Sequence, residues 1–135
     1  MYNQATKEIK ELHQFFVDWY TAKVPDTTFK RCEKVLGPSF TIIDPNGNVL
    51  TREKIINYVR DSYGKKDESL SFNIWIEEVQ HRWTNNGTHV LTYQEWQEEA
   101  GNRTARLSTV VFVENDQTPS GLEWVHVHET WLTRT

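Results

Sequence analysis

Thr88-His-Val-Leu-Thr-Tyr-Gln-Glu-Trp-Gln-Glu-Glu99, then Ala100-Gly101-Asn102, then Arg103-Thr-Ala-Arg-Leu-Ser-Thr-Val-Val-Phe-Val-Glu114 is the stretch that decides the fold. Two long runs rich in β-branched and aromatic residues flank a turn signal, which is the pattern of a β-hairpin. A turn at Ala100-Gly101 lets Glu99 face Asn102, so Glu95 stands opposite Arg106 and Tyr93 opposite Ser108. A two-residue slip would change the partners. Tyr93, Glu95, Gln97, Arg106 and Ser108 would still share one face, because side chains alternate along a strand.

Two further runs extend this hairpin into a four-strand meander: Leu70 to Trp83 before Asn85-Asn86-Gly87, and Leu122 to Leu132 after the polar loop from Asn115 to Gly121. One pairing of the last run adds Trp124, His126, His128 and Thr130 to the face of Glu95. The other face then holds Trp96, Leu107, Val111, Val113, Val125, Val127 and Trp131. That surface is too apolar to stay wet, so either the helices or a second subunit must cover it. The expected arrangement has the helices closing over the polar and aromatic face and a second copy on the apolar one, giving a homodimer.

Upstream of the strands the period changes. Ile9, Leu12, Phe16 and Trp19 recur three or four apart between Gln4 and Lys23, with Glu8, Glu11, Gln14 and Asp18 between them. This spacing predicts an amphipathic helix ending before Pro25. Asp26 or Thr27 is placed to cap a second helix carrying Phe29, Cys32 and Leu36, with Gly37-Pro38 as its stop. Phe40 to Asp44 and Val49-Leu50 flank the turn Pro45-Asn-Gly-Asn48. Thr51 then caps a third helix with Ile55, Ile56 and Val59 inward and Gly64 to close it. Three helices followed by a long sheet, with no βαβ alternation, is an α+β order in one domain over residues 1–135.

Composition limits the partners. A 135-residue chain with 37% hydrophobic residues can build a core without disulfides or metal. A formal charge of -4 argues against nucleic acid, because phosphate binding needs a basic face. Cys32 is the sole cysteine, the amino terminus lacks the apolar core of a signal peptide, and no apolar run approaches membrane-spanning length. The expected location is cytoplasmic. Asn86-Gly-Thr and Asn102-Arg-Thr match the glycosylation pattern but read more simply as turns.

The order of these elements, together with Phe40-Thr-Ile-Ile-Asp-Pro-Asn-Gly-Asn-Val-Leu-Thr-Arg-Glu53 and Trp124-Val-His-Val-His-Glu-Thr-Trp-Leu132, resembles the SnoaL-like branch of the nuclear transport factor 2-like superfamily. The segments Tyr93 to Gln97 and Arg106 to Thr109 are similar to those of small bacterial members of unassigned activity. The ending also resembles the last strand of the association domain of calcium/calmodulin-dependent kinase II. The resemblance implies three N-terminal helices on a curved antiparallel sheet, a cystatin-like cone or α+β barrel with a pocket between the layers, commonly dimeric. The superfamily hosts isomerases, dehydratases, cyclases and hydrolases beside non-catalytic members, so the fold leaves function open. No catalytic set of those enzymes matches residue by residue.

The residues on the Glu95 face are the candidate site. Glu95 with Arg106 can orient a water or a carboxylate-bearing ligand, or form an ordinary cross-strand ion pair. His126 and His128, two apart, suit proton transfer near neutral pH or, with Glu95 as a third group, an incomplete metal set. Tyr93 and Ser108 can donate hydrogen bonds to a developing oxyanion or satisfy each other. Glu129 points away from His128, toward the expected dimer interface. Ser108 and Cys32 lack the surroundings of nucleophiles. No cofactor or metal is implied. Trp19, Tyr20, Trp75, Trp83, Trp96, Trp124 and Trp131 must divide between core, pocket wall and interface.

Three functions follow from this pattern. The first is a homodimer binding a compact, partly apolar organic ligand among Tyr93, Glu95, Arg106, Ser108, His126 and His128. The second is an acid-base enzyme using His126 or His128 with Glu95. The third is an oligomerisation module.

Overall fold

The computed structural model describes residues 2–67 and 71–133. Helix α1 (Tyr2–Tyr20) lies against the sheet, burying Ala5, Ile9, Leu12, Phe15 and Trp19. It stops three residues before its expected end, because Ala22 turns into the left-handed region (φ 55°) and Lys23 N–H bonds back to Asp18 O. A 3-10 turn, Asp26–Phe29, leads into the short helix α2 (Lys30–Val35). Neither Asp26 nor Thr27 caps it, since the turn begins at Pro25 with no side-chain cap bond. Leu36, expected on this helix, opens strand β1 (Leu36–Ile43), and Gly37-Pro38 lies inside that strand.

Strand β1 pairs with β2 (Val49–Thr51) in the expected hairpin, Ile42 opposite Leu50. Helix α3 (Arg52–Asp61) follows, capped by Thr51, whose Oγ1 accepts from Lys54 N–H at 3.4 Å. Ile56 and Val59 are buried as expected, with Ile55 half-buried. Trp19 Nε1 donates to Val59 O at 2.6 Å, tying α1 to α3. Trp19→Phe should cost about 1–2 kcal/mol, the loss expected when a buried acceptor is orphaned. A urea denaturation midpoint lowered without change of slope would show it.

The meander is present: β3 (Asn73–Asn85), β4 (Thr88–Glu99), β5 (Asn102–Glu114) and β6 (Leu122–Thr133). Leu70, expected to start the first of these, lies outside the described residues. Both tight hairpins use a pair of residues at positive φ, Asn86-Gly87 and Ala100-Gly101, whose left-handed geometry matches strand twist. The β4–β5 register is the expected one, Glu99 opposite Asn102, Glu95 opposite Arg106 and Tyr93 opposite Ser108. The sheet order is β2-β1-β6-β5-β4-β3, and β1 runs parallel to β6. That parallel pair departs from a wholly antiparallel sheet. It joins strands far apart in sequence and leaves β2 and β3 at the two edges of the sheet.

The last strand corrects the face assignment. Along β6, Trp124 faces Phe112 and His126 faces Val111, so Val125 is an extra residue in the ladder. Such a bulge reverses every side chain beyond it. Trp124 stays inside, and Val127, Glu129 and Trp131 also turn inward. His126, His128 and Thr130 turn outward. Trp96, Leu107, Val111, Val113 and Val125 remain on the outer face as expected, each half-buried in the isolated chain.

Candidate functional site

Between α1, α3 and the inner face of the sheet lies a cavity of about 530 Å³. Its walls are aromatic and aliphatic: Phe16, Tyr20, Phe40, Phe72, Trp124 and Trp131 with Leu12, Ile55 and Val127. Phe16 and Tyr20 stack at 5.9 Å, and Tyr20 meets Phe72 at 6.0 Å. The floor is polar, formed by His13, Tyr93, Glu95, Gln97, Arg106 and Glu129.

His13 was not among the expected site residues. It projects from α1, where its Nδ1–H donates to Ile9 O at 2.7 Å and its Nε2 lies 3.0 Å from Glu95 Oε1. A carbonyl can only accept, so Nδ1 carries a proton, and Nε2 carries a second one when Glu95 is ionised. Burial works against a charged His13, but attraction to Glu95 and the hydrogen bonds outweigh it and raise its pKa. Burial also works against a charged Glu95. The His13 cation, with Arg106 nearby and Gln97 Nε2 donating at 2.6 Å, nevertheless holds that carboxyl down at about 2. The pair is therefore imidazolium and carboxylate in a dry setting.

Glu129 is the opposite case. Burial, reinforced by the Glu95 charge, pushes its carboxyl up to about 7, although Arg106 Nη1 donates to Oε1 at 3.2 Å. Ser108 Oγ donates to its other oxygen at 3.2 Å. Two carboxyls on one floor thus have pKa values driven apart, the arrangement that separates proton donor from carboxylate. Burial holds the Tyr93 phenol protonated well above its usual range. Arg106 rests on Trp131, 5.0 Å from the ring centre, and its Nε is buried without a partner among the described residues.

Of the expected residues, Tyr93, Glu95 and Arg106 line the cavity, and Ser108 sits beneath it. Glu95 and Arg106 do not bond each other as a simple cross-strand pair: His13 takes Glu95 and Glu129 takes Arg106. His126 and His128 lie on the outer face, His126 Nδ1 2.7 Å from Thr41 Oγ1 and its ring 6.5 Å from that of His128. Neither can share a ligand with Glu95, so the two histidines leave the site. Glu129, expected at an interface, replaces them. Glu8 is one of the polar residues set between the apolar positions of α1. It is nevertheless 0% exposed, clamped by Arg31 at 2.9 and 3.2 Å and by Trp124 Nε1 at 2.8 Å. This second buried ion pair holds α1 to α2 and positions the Trp124 wall.

His13 carried a signal that could have been found. It lies four residues after Ile9 and three before Phe16, on the apolar stripe of the helix. Glu129 carried none, because a bulge leaves no mark in the alternation of the sequence.

A helix-covered curved sheet with a cavity floored by ionisable groups defines a protein of the nuclear transport factor 2-like, cystatin-like fold. An NTF2-like protein of unknown function from Pseudomonas aeruginosa superposes with a TM-score of 0.85 at 25% identity, covering 96% of this chain and 99% of its own. A CaMKII hub from S. rosetta shares the fold alone, at TM-score 0.60 and 15% identity over 74% of this chain and 79% of its own. Within that fold the chain belongs to the sucrose-6-phosphate phosphohydrolase C-terminal family, whose pattern matches residues 5–133. It is 27% identical over 128 residues to sucrose-phosphatase 1 of Nicotiana tabacum, a match spanning 93% of this chain and 30% of that protein. The chain thus spans about a third of the length of the curated relatives it matches. Among the described residues, no helix is long and apolar enough to cross a membrane.

Proposed function

We propose that the chain is a cytoplasmic small-molecule-binding domain of SnoaL-like type, acting as a homodimer through the outer face of its sheet, with the cavity above Glu95, Arg106 and Glu129 as its binding pocket. The observation that carries this reading is a cavity of about 530 Å³ that keeps two carboxyls, an imidazole and a guanidinium on its floor. A purely structural interior would gain stability by filling that space with apolar side chains, since buried charge is costly and voids forfeit contacts. The volume and the mix of apolar wall with a few converging polar groups suit a small organic ligand. Half-buried Trp96, Leu107, Val111, Val113 and Val125 on the outer face support the dimer.

The curated relatives are named as phosphatases, and most of their length lies outside the matched segment. In such a setting the domain reads as a binding partner to a catalytic region. A second reading, an acid-base enzyme, draws on the separated carboxyls: Glu129 would serve as proton donor and Glu95 as the fixed carboxylate.

Native mass spectrometry of the purified protein tests both parts of the proposal. The expected spectrum is a dimer that retains a small mass adduct or gains one from a panel of organic acids, amines and sugars. A monomer that takes none of them would overturn it.

A further inference from the structure

Resting on the pocket reading above, we infer that the cavity takes an uncharged, polyhydroxylated ligand of carbohydrate type, and that it discriminates against a phosphorylated or carboxylated one.

The charges on the cavity wall decide this. Three cations line it, and each already bonds a carboxyl, His13 to Glu95 at 3.0 Å, Arg106 to Glu129 at 3.2 Å and Lys66 to Glu99 at 2.9 Å, with the Arg106 Nε–H left as a buried donor without a partner among the described residues. Glu98 adds a further carboxylate to the lining. A phosphate or carboxylate entering here would bring negative charge among four carboxyl groups, and the Arg106 Nε–H alone would not neutralise it. It would have to displace a carboxylate and leave that group buried and unpaired, which is unfavourable. An ammonium ligand would compete with His13 and Arg106 for the two floor carboxyls and leave a buried cation short of its partner.

A hydroxyl escapes both difficulties. It donates to a carboxylate with one group and accepts from a guanidinium or amide with the same oxygen, so it fits into matched pairs without breaking them. The wall also carries neutral polar groups in a row. Asn102, Thr104 and Arg106 alternate along the inner face of β5, and the side chains of Asn102 and Thr104 have no partner among the described residues. Their spacing along the strand, about 7 Å per two residues, spreads the donors and acceptors over the length of a sugar ring or two. The cavity wall also carries a flat apolar surface on α1, the stacked Phe16 and Tyr20 rings, with Phe72 beside them. A sugar ring has a C–H-bearing face to lay on such a surface while its hydroxyl edge meets the polar row.

The test is a titration of the full chain followed by the indole N–H signals of Trp124 and Trp131, both in the cavity wall. The probes are sucrose, trehalose, sucrose 6-phosphate, benzoate and benzylamine. Saturable shifts with sucrose or trehalose are expected, with sucrose 6-phosphate weaker than sucrose by on the order of tenfold. Thr104→Val, a half-buried position outside the ion pairs, should weaken sucrose several-fold while leaving the spectrum folded. Tighter binding of sucrose 6-phosphate or benzoate than of sucrose overturns the inference. If only benzoate or benzylamine binds, the carbohydrate class is wrong and the pocket reading survives. Silence from all five probes would count against both.

Discussion

Replacing His13 by leucine should lower the unfolding free energy at neutral pH by about 3–5 kcal/mol, because it leaves the Glu95 carboxylate buried with Gln97 as its remaining direct hydrogen-bond donor. The cost comes from the stranded charge more than from the lost contact. The double variant His13→Leu with Glu95→Leu should therefore recover most of it, since an apolar pair of similar volume needs no solvation. The single variant should also respond to acid in a particular direction. Without the imidazolium, burial raises the Glu95 pKa above that of the unfolded chain, so the variant regains stability as pH falls and Glu95 takes a proton. Urea denaturation of the two variants at pH 7 and pH 5 measures this. Equal losses in the single and double variants would show that His13 contributes by packing alone.

The second large effect is the pH dependence of the wild-type protein. Glu129 moves from an ordinary 4.5 to about 7 on folding, so the native state holds a proton that the unfolded chain has released. Stability must then fall as pH rises from about 4.5 to 7, by about 3 kcal/mol at roughly 1.4 kcal/mol per pKa unit. His13 acts in the same direction: its raised pKa contributes stability that is fully present below 6.5 and is lost as pH rises through the folded value. Glu95, lowered to about 2, contributes stability that is present above 4.5 and is lost as pH falls toward 2. The three together place the maximum in mildly acidic solution. The thermal midpoint should be highest near pH 5 and lower by on the order of 10 °C at pH 8. Glu129→Gln removes the titrating group and should flatten the decline between pH 5 and pH 7. A wild-type profile level across that range, or an unchanged slope in Glu129→Gln, would show that Glu129 is ionised throughout.

The parts of this architecture that were legible in the sequence are those fixed by local chemistry. Ala100-Gly101 forces a two-residue turn, and that turn alone sets Glu95 opposite Arg106 and Tyr93 opposite Ser108. Thr51 caps α3 because a hydroxyl just before an apolar-periodic segment meets the free N–H groups of the helix start. The seven-residue connection from Asn115 to Gly121 pins nothing comparable, and the extra residue Val125 then exchanges His126 and His128 for Val127 and Glu129 on the inner face. The parallel pairing of β1 with β6 joins residues 85 apart in sequence, such as Thr41 and His126, and has no local signature.

The buried ion pairs were hidden for a different reason. Glu8 and His13 are polar residues on an amphipathic helix, and such residues are usually solvated. Only the tertiary partners Arg31, Trp124 and Glu95 make their burial affordable. Four of the six floor residues, Tyr93, Glu95, Gln97 and Arg106, therefore came from one strand pair that could be read in advance, and His13 and Glu129 from a helix and a bulged strand that could not.

A high-resolution crystal structure of the protein as purified addresses the central claim most directly. The account requires an open cavity between α1, α3 and the sheet, with Glu95 bound to His13, Arg106 bound to Glu129, and density for a small molecule lying over that floor. Tyr20, Phe72 and Trp131 folded inward to fill the space, with the carboxyls turned out to solvent, would contradict it and leave the fold as a structural module.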